Sequence, residues 1–120
     1  MKPDEYIEKV KRTESLIFKS EGKERLLHAG IGIATEAGEM LDALKKSLFY
    51  NQQLDKINIE EELGDLMWYI ALACDSLNVS LENIMERNIE KLKARYPEKF
   101  TSDDAKNRDL KKERDILEKK

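Results

Sequence analysis

The chain has 120 residues, about one domain's worth, of which 40% are hydrophobic and 39% charged. Lys and Arg (22) nearly balance Asp and Glu (25), and a net charge of -3 gives no electrostatic footprint for nucleic acid or a membrane surface. No apolar run reaches the roughly 18 residues of a membrane span, the start MKPDEYIEKVKR lacks a signal-peptide core, and one cysteine excludes an internal disulfide, so a cytoplasmic location is expected.

Helical spacing recurs along the chain, and strand signals are nearly absent. The first helix is expected from Pro3 to about Ser20, with Tyr6, Val10, Ile17 and Phe18 as apolar contacts. SEGKE then turns, and a second helix runs from about Glu24 to Tyr50. NQQLDKIN is a polar connection in which Asn58, with Glu61 at capping-box spacing, starts a third helix from about Ile59 to Leu77. Asn78-Val79-Ser80 breaks that helix, Ser80 is suited to cap a fourth over Leu81 to Arg95, and Pro97 stops it. Residues 1–101 thus read as a single all-α domain of the four-helix type, and 102–120 as a charged tail, helical or frayed. From Leu66 to Cys74 the third helix is apolar almost all round, more than one partner helix covers, so a homo-oligomer is expected.

Two hexapeptides share one pattern, EAGEML at Glu36–Leu41 and ELGDLM at Glu62–Met67. At about 100° per residue, Ile33, Ala37, Met40, Leu41, Leu44 and Leu48 share one face of the second helix, with Glu36 and Glu39 at its margin. Ile59, Leu63, Leu66, Met67, Ile70 and Leu77 share a face of the third, with Glu62 and Asp65 at the corresponding margin. An antiparallel hairpin packed through these faces brings four carboxylates together at its edge. Like charges drawn into a partly dry groove are unfavourable unless some protonate or a cation joins them. A set of hard oxygen donors without His or Cys favours Mg²⁺ or Mn²⁺. Alternatively, the acids are surface groups paired with Lys45 or Lys46, or welcomed by a helix N-terminus. Gly38 and Gly64 each cost about 1 kcal/mol inside a helix, which suggests close approach by another backbone or by a ligand.

In the fourth helix Asn88, Lys91 and Arg95 share one face, a mobile cation beside a rigid fork that suits phosphate oxygens or simply complements the helix C-terminus. His28 shares a stripe with Gly32 and Glu36, and either reaches a substrate or is satisfied within the fold. Trp68 lies off the main apolar face and either stacks on a base or fills a subunit interface.

E-x-x-E, then E-x-x-D, then N-x-x-K-x-x-x-R-Y-P resembles the MazG-like all-α nucleoside triphosphate pyrophosphohydrolases over roughly Leu26 to Thr101. The resemblance implies Mg²⁺-dependent hydrolysis of nucleoside triphosphates between the α and β phosphates, giving a monophosphate and pyrophosphate, by a homodimer or dimer of dimers. It implies Glu36, Glu39, Glu62 and Asp65 as metal ligands, with Glu36 or Glu39 orienting the water. Lys91, Arg95 and with them Asn88 and Tyr96 would hold phosphates. Thr35 stands where the family often has another Glu, which leaves open the number of ions. A phosphoribosyl-ATP pyrophosphohydrolase and a non-catalytic nucleotide- or metal-binding bundle are the alternatives.

Overall fold

A computed structural model describes residues 1–15 and 23–119, which form six helices and no strand. These are α1 Pro3–Val10, α2 Lys23–Phe49, α3 Lys56–Leu77, α4 Leu81–Arg95, α5 Ser102–Lys106 and α6 Leu110–Glu118. The chain is all-α as the periodicity requires. It divides into two compact units, residues 1–80 and 81–120.

In the first unit, Pro3 opens α1 where no N–H is needed, and the Lys2 N–H donates to Glu5 Oε2 at 2.8 Å. The expected helix to Ser20 is not formed, because α1 ends at Val10, where the Thr13 hydroxyl and N–H both donate to the Val10 carbonyl. Ile17 and Phe18 lie outside the described residues. What draws the chain out of the helix is Glu14. Its carboxylate is fully buried and accepts two 2.8 Å hydrogen bonds from the Arg25 guanidinium. Arg25 also reaches Asp75 of α3 at 2.6 Å, and Lys11 closes on the same carboxylate at 3.6 Å. Glu14 and Asp75 together hold the Arg25 guanidinium charged beyond its ordinary range. One buried ion network therefore ties the turn after α1 to the start of α2 and the end of α3.

α2 and α3 form an antiparallel hairpin in which Gly32 meets Tyr69 and Glu39 meets Glu62. α3 begins earlier than the Asn58 cap would place it, because Asp55 caps instead, accepting from the Asn58 N–H at 3.1 Å. Asn78 ends α3 in the left-handed region, with φ 54°, and its N–H and that of Val79 close the last turn. Ser80 Oγ donates to Asp4 of α1 at 2.7 Å. The buried seam contains Ala29, Gly32, Ala71, Leu72 and Cys74, together with Ile7 and Val10 from α1. Leu41, Leu48, Leu63 and Met67, which the helical wheels place inside the hairpin, are exposed instead. Small residues let the backbones close up, and the large apolar side chains are displaced outwards.

In the second unit α4 spans the expected residues, and α6 packs on it. The tail is helical rather than frayed: Thr101 caps α5 and Asp109 caps α6, each accepting a 3.0 Å bond. Glu113 of α6 is buried and receives forked bonds from both Arg95 and Arg108, which hold its carboxyl down at about 2.

Breaking a buried ion pair leaves an uncompensated charge, so Glu14→Gln is predicted to lower stability by about 3 kcal/mol in urea denaturation. Glu118→Ala, which removes an exposed pair with Arg114, should change it by less than about 0.5 kcal/mol.

Candidate active site

Helical geometry places Glu36 and Glu39 one turn apart on α2, facing Asp65 and Glu62 one turn apart on α3. Oxygens of Glu36, Glu62 and Asp65 all lie within 4.8 Å of one another, and Glu39 stands beside them, close enough to share a hydrogen bond with Glu62. Glu62 is only 5% exposed, deeper than the marginal position the wheel assigns it. Glu36 Oε2 and Glu62 Oε2 are buried without a hydrogen-bond partner among the described residues. The Glu39 and Glu62 carboxyls are both held above the ordinary value. The Glu62 carboxyl is pushed up first by its hydrogen bond to Glu36 and then by burial, and the Glu39 carboxyl chiefly by the negative charge of Glu62.

Such a group is unfavourable by itself, since unpartnered buried acceptors and clustered negative charges both destabilise. A hard divalent cation supplies what both buried oxygens lack. The donor set, all carboxylate, is of the kind that takes Mg²⁺ or Mn²⁺ rather than a softer metal. On the loop side, Glu39 and Glu62 border an open recess of about 720 Å³ whose other polar groups include Asp42, Asp55, Gln52, Gln53, Asn58 and Lys46, the last paired with Asp42 at 2.8 Å.

Residues 25–100 match the family described as the MazG nucleotide pyrophosphohydrolase domain, almost the stretch that carries the motifs. The chain belongs to this family. The MazG family is generally dependent on divalent metal, which agrees with the carboxylate group between α2 and α3. The chain is also 36% identical over 76 residues to Gene 37 protein of Mycobacterium phage L5, a match covering 60% of this chain and 67% of that protein. No solved structure matches. No helix among the described residues is long and apolar enough to cross a membrane.

Of the residues expected to hold phosphates, Asn88 is exposed and Lys91 half-buried on α4, and neither side chain has a hydrogen bond or ion pair among the described residues. Arg95 differs. Both edges of its fork are engaged by Glu113, at 2.6 and 3.4 Å, and its guanidinium lies 5.7 Å from the Tyr96 ring centre. Tyr96 in turn packs on Phe100, at 5.3 Å between centroids. The motif gave no sign of Glu113, which lies in the tail beyond it.

His28 packs edge-on against Tyr69 at 5.7 Å. The glycine that close packing requires is Gly32, whose missing side chain leaves room for the Tyr69 ring. Beyond their own helical turn, nothing lies within 4 Å of where a Cβ would stand at Gly38 or Gly64, so a side chain at either position meets no packed neighbour. Lys46, which the alternative reading pairs with Glu36 or Glu39, pairs with Asp42 at 2.8 Å instead, and Gln52, Gln53, Thr13 and Tyr69 at the carboxylates went unnoticed in the sequence. Tyr69, four residues after Asp65, was the one accessible by spacing.

Adding a methyl at an open helical glycine removes backbone freedom from the unfolded chain, so Gly38→Ala is predicted to stabilise by about 1 kcal/mol in urea denaturation. Gly32→Ala, which collides with the Tyr69 ring, should destabilise by about 1–3 kcal/mol.

Proposed function

We propose that the protein is a Mg²⁺-dependent nucleoside triphosphate pyrophosphohydrolase, cleaving between the α and β phosphates to give a nucleoside monophosphate and pyrophosphate. The observation that carries this reading is the group Glu36, Glu62 and Asp65, with two buried oxygens that need a positive partner. Glu36, Glu62 and Asp65 would hold the ion, with Glu39 at its edge. Bound there, a divalent ion neutralises phosphate oxygens and lowers the pKa of a coordinated water.

Glu39 is the group suited to receive the water's proton. It lies just outside the three-carboxylate group and is exposed. Water then adds to phosphorus, the bond to the bridging oxygen breaks, and that oxygen leaves with the departing product. Within the first unit Lys46 would donate to phosphate oxygens on leaving Asp42, with which it pairs at 2.8 Å, and the motif carries Asn88 and Lys91 of the second unit as further phosphate ligands. Arg95 and Tyr96 are carried as phosphate ligands by the same motif, Arg95 on its release from Glu113. Residues 1–101 would form the catalytic domain, acting in the cytoplasm as a homodimer or dimer of dimers, whose contact would cover exposed Leu41, Leu48, Leu63 and Met67. No nucleic-acid or membrane partner is proposed.

Pyrophosphate release from a panel of ribo- and deoxyribonucleoside triphosphates with Mg²⁺ is the direct assay. Activity toward at least one nucleotide is expected, and Glu39→Gln should lower it about 100-fold or more without loss of helical content. No release from any nucleotide by the folded protein rules the reading out.

Glu39 and Glu62 bind protons more tightly in the folded than in the unfolded chain when no cation is present. Their ionisation therefore lowers stability as pH rises from the ordinary carboxylate value of 4.5 through their raised values. Melting with Mg²⁺ and with EDTA at several pH values should show a Tm gap that widens over this rise. Equal melting temperatures throughout would count against a cation at this site.

A further inference from the structure

A second recess of about 320 Å³ also borders the carboxylates, lined by Thr13, Glu36, Asp65, Trp68 and Tyr69. It touches the group through Glu36 and Asp65, whereas the larger recess touches it through Glu39 and Glu62. In the antiparallel hairpin, the steps from Glu36 to Glu39 and from Asp65 to Glu62 both lead towards the connecting loop. The two recesses therefore leave the carboxylates in opposite directions along the hairpin. Their linings are also unlike. One holds Asp42 and Asp55 beside Lys46, itself paired with Asp42 at 2.8 Å, and side-chain amides, whereas the other offers two aromatic rings.

A nucleoside triphosphate cleaved at the carboxylates has two unlike ends, a polyphosphate and a base. The aromatic end of the hairpin suits the base, and its rings are already fixed in place. Tyr69 is seated on Gly32 and braced by His28. Trp68 lies edge-on to Tyr69, with centroids 5.0 Å apart and planes at 80°. The Trp68 Nε1–H donates to Thr13 Oγ1 at 2.8 Å, and the Thr13 hydroxyl donates to the Val10 carbonyl at 3.1 Å. A ring held this way gives up little freedom when a ligand stacks on it.

We propose that Trp68 is the platform on which the nucleobase stacks, and that the recess selects nucleotides by stacking rather than by reading the edge of the base. This inference rests on the nucleotide reading above. The indole N–H is used by Thr13, and the Thr13 hydrogen is used by Val10. Among the described lining residues only the Tyr69 hydroxyl remains as a donor, and Glu36 and Asp65 belong to the cation. Every base presents a π-face, so stacking tolerates all of them and favours the larger purines.

Trp68 is the chain's one tryptophan, so its emission reports on this recess alone. The full chain with Mg²⁺ is titrated with nonhydrolysable ATP and UTP analogues and, separately, with inorganic tripolyphosphate. Saturable quenching by both analogues and little by tripolyphosphate is expected. In the hydrolysis assay Trp68→Leu should raise KM about tenfold for every base, and Trp68→Phe, which keeps an aromatic face but loses the N–H bond to Thr13, should raise it less.

Equal emission changes with nucleotide and tripolyphosphate, or no change with either, would overturn the platform even if pyrophosphate release persists. A preference of 100-fold or more for one base would overturn selection by stacking. Absence of hydrolysis with every nucleotide would overturn the nucleotide reading instead, while the titration of the native chain still decides whether a base reaches Trp68.

Discussion

The whole arrangement depends on the repulsion among carboxylates brought together between α2 and α3. Three of them, Glu36, Glu62 and Asp65, have oxygens within 4.8 Å of one another, and two of these side chains keep a buried oxygen with no hydrogen-bond partner among the described residues. A fold selected for stability alone would separate or pair such groups. Instead, the hairpin places them in register on facing helices, where a cation can turn the repulsion into attraction. With no cation bound, the Glu39 carboxyl is held up chiefly by the charge of Glu62, and the Glu62 carboxyl by its hydrogen bond to Glu36 and by burial.

Holding helices together against that repulsion requires constraint elsewhere. The Glu14–Arg25–Asp75 network fastens both helices and the turn after α1 at the open end of the hairpin, with carboxylates that are fully paired. Gly32 and Ala71 allow close approach, and the Tyr69 ring settles over Gly32. The same closeness turns Leu41, Leu48, Leu63 and Met67 outwards. Paired charge thus anchors the hairpin, unpaired charge forms the candidate site, and the turn after α1 is linked to it through the Thr13–Trp68 bond.

Much of this was legible in the sequence because it follows from local rules. α2, α3 and α4 follow from apolar periodicity and breakers, and the convergence of two E-x-x-acid pairs follows from helical spacing on a hairpin. What was not legible depended on partners far along the chain. Glu14 reads as one more acid in a helix until Arg25 and Asp75 are known to meet it, so α1 was expected to continue. Arg95 reads as a free phosphate ligand until Glu113 takes it. The wheel also favoured large apolar side chains for the buried seam. The helices instead close through small residues, which a hydrophobicity pattern cannot distinguish from surface positions. Asp55 and Asn58 are both good caps, and spacing to Glu61 favoured the wrong one.

The most direct measurement of the central claim is the location of an ion. Crystals grown with Mn²⁺ and measured for its anomalous scattering should show a peak among the carboxylates of Glu36, Glu62 and Asp65. A structure with Mn²⁺ in the medium, those carboxylates well ordered and no peak between them would contradict the account.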